Sequence, residues 1–113
     1  MANQYYCEFA PHLYLSDGIN NLSKIKRKLT HGAGQLTIYV ICRAPETENQ
    51  IAVMHCANLK QSWYKTHPVY VYGIASGYEA SRALLVRICD DAAREGFDDR
   101  LSEFLDLRTG GTP

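Results

Sequence analysis

The sequence lacks net charge: 12 Lys+Arg offset 12 Asp+Glu when the four histidines are neutral. That balance argues against a uniformly basic nucleic-acid binder and against a strongly charged disordered chain. No apolar run approaches the roughly 20 residues a bilayer-spanning helix needs, so no membrane association is expected. Met1–Phe9 has neither the basic start nor the long apolar stretch of a secretory leader, and the expected location is cytoplasmic. Cysteine is present but unpatterned. Cys7, Cys42, Cys56 and Cys89 lie 35, 14 and 33 residues apart, without the short spacing of a zinc knuckle or redox dithiol. They read as buried, reduced thiols acting as small hydrophobes. Internal repeats, low-complexity tracts and linkers are also missing. A chain of 113 residues, 46% hydrophobic, then reads as one domain over 1–108, with a frayed tail over 109–113 that includes Gly110-Gly111.

What is present is alternating periodicity. Gln4–Phe9 alternates as a strand, with Pro11 forcing a bulge or bend before Leu13-Tyr14-Leu15 continues it. Leu22, Ile25 and Leu29 recur at helical spacing over 21–31, after an Asn20 or Asn21 cap. Gln35–Arg43 is apolar on both faces, the mark of an inner strand, and a short polar link joins it to a strand over Gln50–Ala57 as an antiparallel hairpin. Asn58–Pro68 is a loop with room for one helical turn. Val69–Ala75 is the next strand, with Gly73 and Ala75 on a small-residue face that something packs closely against. Ser76-Gly77-Tyr78-Glu79 has the form of a capping box opening a helix over Gly77–Glu95. Its seam is Ala80, Leu84, Ile88 and Ala92, and Gly96-Phe97 fit a Schellman close. Asp98–Leu107 is a short amphipathic segment with Asp98 as its cap. The order β-α-β-β-β-α plus a short C-terminal helix predicts an α+β, two-layer sandwich: a mostly antiparallel sheet of four or five strands with its helices on one face. Several tyrosines would then line the open face, and exposed apolar faces bind partners.

Two places could carry a site. Gly73–Glu79 joins a strand to a helix N-terminus, where Ser76 and Gly77 could offer backbone N–H groups to an anion, with Lys65 and His67 approaching from the preceding loop. No complete phosphate-loop or dinucleotide pattern is present, and an ordinary strand-to-helix turn accounts for the same residues. The loop Lys60–Pro68 holds the only tryptophan, Trp63, beside Tyr64. Trp63, Tyr64, Tyr70 and Tyr72 are the candidate interface residues. Trp63 plugging the edge of the core is the ordinary alternative, and stacking on nucleic-acid bases with the lysines on phosphates is the least expected one.

The histidines show no metal-binding spacing. A Cys42 or Cys56 thiol meeting His55 or His67 across strands would be needed for a nucleophilic dyad, and nothing in the pattern favours it. No cofactor, no metal and no catalytic residue is implied. Asp90-Asp91 and Asp98-Asp99 read as solvated helix surface. The expected function is a small binding or interaction domain that self-associates as a homodimer or meets another protein. The alternative is a small-ligand or nucleotide (anion) binding protein, or small enzyme, at Gly73–Glu79.

Zero net charge conceals a separation. Residues 1–65 carry a net +3 and residues 66–113 a net −3. Residues 24–43 hold five cations and no anion, whereas 90–106 hold seven anions and two cations. A salt-sensitive contact between the basic first helix and the acidic C-terminal region, within one chain or between two, is therefore an expectation.

Overall fold

In the computed structural model, the residues described are 7–30, 37–43, 51–60, 69–97 and 99–110. The apolar alternation is realised as four strands, β1 (Cys7–Leu15), β2 (Ile38–Arg43), β3 (Ile51–His55) and β4 (Val69–Ser76). The helical spacings give α1 (Leu22–Thr30), α2 (Tyr78–Arg94) and α3 (Leu101–Thr109), and a 3₁₀ turn over Cys56–Lys60 follows β3. The fold is α+β on one mixed sheet of order β1-β4-β2-β3. β2 pairs antiparallel with both β3 and β4, whereas β1 pairs parallel with β4.

The helices do not share a face. Ile25 and Leu29 of α1 join Cys7, Ile38, Val40, Cys42, Val71 and Ile74 in one core. Leu84, Ile88 and Ala92 of α2 and Phe104 and Leu105 of α3 join Tyr14, Ile41, Tyr72 and Ala75 in a second. The sheet is thus a middle layer between α1 and the α2–α3 pair. The physical reason is that β2 and β4 are apolar on both faces, so each face needs its own cover.

Two irregularities re-aim side chains. In β1, Phe9 pairs with Val71 and Tyr14 with Gly73, so residues 10–13 all stand opposite Tyr72. This is the bulge that Pro11 demands, and it leaves Ala10 and Tyr14 both buried on the α2–α3 face. In the β2–β4 ladder the register slips where Ile41 faces Gly73 but Cys42 faces Val71. Beyond the slip, Ile74 faces α1 and Ala75 faces α2, the reverse of uninterrupted alternation from Val69.

The helix ends follow local chemistry. The Asn21 side chain accepts from Lys24 N at 3.3 Å, as a cap should. Gly96 at φ 80° lets Phe97 N reach Ala92 O at 2.8 Å and Gly96 N reach Ala93 O at 3.1 Å, the expected Schellman close of α2. α3 extends past the expected limit. Thr109, assigned above to a frayed tail, is buried and donates its hydroxyl to Leu105 O at 2.5 Å. Gly110 closes the helix in a left-handed conformation, so the tail assignment is corrected at both residues.

Candidate functional site

The turn from β4 into α2 forms as expected, but its cap does not. Gly77 is the N-cap residue of α2, and no side chain bonds the helix start. Neighbouring strands use the groups instead. Ser76 N donates to Ser16 Oγ at 3.0 Å, Gly77 N donates to Thr37 O at 2.6 Å, and Ser16 N donates to Ile74 O at 3.1 Å. The capping box of Ser76 and Glu79 is therefore replaced by ties to the end of β1 and the start of β2. The Ser76 and Gly77 amides that could have held an anion are already bonded. Lys65 and His67 lie outside the described residues, as do Trp63 and Tyr64.

Beside this turn is a cleft of about 220 Å³ lined by Ser16, Asp17, Ala80, Ala83, Leu84 and Arg87. Ser16 Oγ also donates to Asp17 O at 2.9 Å, which fixes the turn that carries Asp17. The Arg87 guanidinium stands 5.3 Å from the centre of the Tyr14 ring, a cation–π contact. Among the described residues, neither Asp17 nor Arg87 has a side-chain hydrogen bond or ion pair.

The tyrosines do not form an open face. Tyr72 is fully buried under α3, so its assignment as a surface anchor is corrected. Its hydroxyl accepts from Arg43 Nε at 3.0 Å and donates to Asp106 Oδ1 at 2.7 Å, while Arg43 pairs with the same carboxylate at 2.8 Å. Tyr70 is half-buried beside it, its ring 5.3 Å from that of Tyr72 and 4.7 Å from the Arg43 guanidinium. The cause is the second helical layer: the face expected to be bare is where α3 lies. A parallel arrangement holds Tyr14, whose hydroxyl donates to Asp91 at 2.9 Å, with Arg94 paired to the same carboxylate.

Burial pushes the Tyr14 phenol up to about 12, aided by the Asp91 bond. Burial, aided by the Asp106 bond, also raises Tyr72 strongly. Burial opposes the Arg43 charge, but the bonds to Tyr72 and Asp106 outweigh it and its pKa is raised. Asp91 and Asp106 are buried polar groups, and the reading of Asp91 as solvated surface is corrected. A signal existed, since Asp91 follows Ile88 by three positions on the apolar seam of α2 and Asp106 adjoins Phe104-Leu105.

The thiols of Cys7, Cys42 and Cys56 are buried, and burial pushes Cys7 and Cys42 up to about 12. His55 Nδ1 accepts from Ala57 N at 3.1 Å, and its ring meets Tyr39 edge-on at 5.0 Å. That bond fixes the imidazole in the chain's own turn. Any dyad through His67 lies outside the described residues. Among the described residues no group of three or more His, Cys, Asp or Glu could hold a metal ion, and no helix is long and apolar enough to cross a membrane.

The sheet edges differ in kind. β1 carries Glu8, Pro11 and a long bulge, all features that discourage pairing with a further strand. β3, Ile51-Ala52-Val53-Met54-His55, has no Pro, Lys, Arg, Asp or Glu and pairs regularly with β2 throughout. Among the described residues its outer edge meets no strand, and Val53 at its centre is 38% exposed. Comparison with protein-family models, curated proteins and solved structures finds no match for this chain.

Proposed function

We propose that the chain is a small interaction domain that pairs with a second copy of itself through β3. The observation that carries this reading is the uncharged, unbroken outer edge of β3, set against the guarded edge of β1. Edge strands expose rows of N–H and C=O groups, and another strand is their natural complement. The sequence of β3 suits self-pairing. An antiparallel two-fold centred on Val53 sets Val53 against Val53, Ala52 against Met54 and Ile51 against His55, with no like charges opposed. Such a two-fold runs through the sheet, so each face continues across the join and α1 lies on the same side as the other α1.

Sedimentation velocity tests this. The 12.7 kDa chain is expected to sediment as a dimer at about 50 µM, a concentration chosen for a micromolar affinity. Raised salt should leave the dimer intact, because the two basic α1 helices lie on the same side and strand pairing joins no opposite charges. Val53→Lys, which opposes two cations across the axis, should give a folded monomer. A wild-type monomer, or a Val53→Lys dimer, overturns the reading. A salt-labile dimer would point to stacking of opposite charges instead of strand pairing.

A further inference from the structure

We propose that the cleft between the β1–α1 turn and α2 binds a small zwitterion of the free α-amino-acid class, its carboxylate on Arg87 and its ammonium on Asp17. The cleft brings one cation and one anion to a single concavity of about 220 Å³. Among the described residues the two form no ion pair or side-chain hydrogen bond with each other or with any other group. Lone exposed charges are ordinary on a protein surface. Here, however, both line one cavity, with Arg87 against a buried ring and the backbone that carries Asp17 tied to β4.

The buried Tyr14 ring carries the Arg87 guanidinium at 5.3 Å, and the Tyr14 hydroxyl is itself fixed to Asp91 at 2.9 Å. Asp17 sits on a turn that Ser16 ties to β4 through Ser76 N at 3.0 Å and Ile74 O at 3.1 Å. A guanidinium already packed on a ring and a turn already tied in place lose less freedom on binding.

The other lining residues set the ligand's size and character. Ala80 and Ala83 leave space because their side chains end at Cβ, and Leu84 supplies an apolar floor. The volume falls below the roughly 300 Å³ at which sites for drug-sized ligands begin, so the ligand must be small. A bare anion would meet Arg87 but also the repulsion of Asp17, and a bare cation the reverse. A molecule with both charges and a short apolar side chain satisfies all the lining groups at once. The helix N-terminus takes no part, since the Ser76 and Gly77 amides are bonded internally.

Amide chemical-shift titration of the full chain tests this, using L-alanine, L-valine, N-acetyl-L-alanine and L-alanine methyl ester up to about 10 mM, a range suited to millimolar affinity. Saturable shifts are expected at Asp17, Gly18, Ala83 and Arg87 with alanine or valine. Affinity should fall at least roughly tenfold for both blocked derivatives, each of which loses one charge-assisted contact. Asp17→Asn and Arg87→Gln should each weaken binding by a similar factor while the chain stays folded. Ala83→Leu, which fills the cleft and leaves both charges, should abolish the shifts. No saturable shift with either amino acid, equal binding of a blocked derivative, or undiminished binding by the variants would overturn the proposal.

Discussion

Tyr14 and Tyr72 are the polar anchors of the α2–α3 face, and each hydroxyl is fixed to an aspartate on a different helix. Both were legible in sequence as strand residues, but not as buried hydroxyls with partners 77 and 34 positions away. Nothing local to Tyr72 reports that Asp106 will lie above it. The pH behaviour follows from burial. An unfolded tyrosine ionises near 10, whereas Tyr14 in the fold holds its proton up to about 12. Between those values the unfolded chain has lost a proton that the native chain keeps. The contribution is thus full below pH 10 and is lost as pH rises through 12. Tyr14→Phe should cost about 1–2 kcal/mol at neutral pH, because the buried Asp91 loses a donor. It should also make the loss of stability between pH 10 and 12 shallower than in the wild type. Urea unfolding at three pH values checks both, and an unchanged alkaline slope would contradict the assignment.

At the scale of elements, the strands and helices were largely legible because their periodicities are clean. Leu84, Ile88 and Ala92 are buried on the predicted seam of α2, and Gly96 ends that helix as expected. Pairing was less legible. β1 runs parallel to β4, its partner 62 positions away at the Cys7–Val69 pair, and no turn sequence specifies such a contact. The slip beside Gly73 was also hidden, because a bulge changes which face each later residue occupies without changing composition.

Gly73 itself records how close the layers come. A Cβ there would sit 3.1 Å from Tyr14 O, 3.2 Å from Tyr14 Cβ and 3.4 Å from Leu84 Cδ2. Two of those atoms belong to the bulged strand and cannot swing aside as a flexible chain end could. Gly73→Ala should therefore destabilise by about 1–3 kcal/mol, as overpacking of a filled core does. Thermal melting read against Ala75→Gly, a change that opens space on the same face, checks the cause. A neutral Gly73→Ala would mean that the layers are looser than these distances.

At the scale of the whole molecule, the charge separation acquires a geometry. The basic helix α1, with Lys24, Lys26, Arg27 and Lys28, covers one face of the sheet, and α2 and α3, in which five carboxylates nearly balance four arginines, cover the other. Among the described residues no ion pair joins α1 to α2 or α3. The molecule thus presents a basic face at α1 and a nearly balanced face at α2 and α3. Zero net charge could not reveal this, because it sums over faces that the fold separates. The cleft was not legible in the sequence. Ser76 and Gly77 do not line the cleft, which depends on Ser16, Asp17 and Arg87, residues that only the tertiary fold assembles.

The central claim is that β3 is the surface through which the chain recognises its copy. Amide hydrogen exchange of β3, measured from about 1 µM to about 200 µM so as to bracket a micromolar affinity, reads that strand directly. Protection over Ile51–His55 should rise with concentration while β1 stays unchanged, and Val53→Lys should remove the rise. Protection of β3 that does not depend on concentration, or that rises equally along β1, would contradict it.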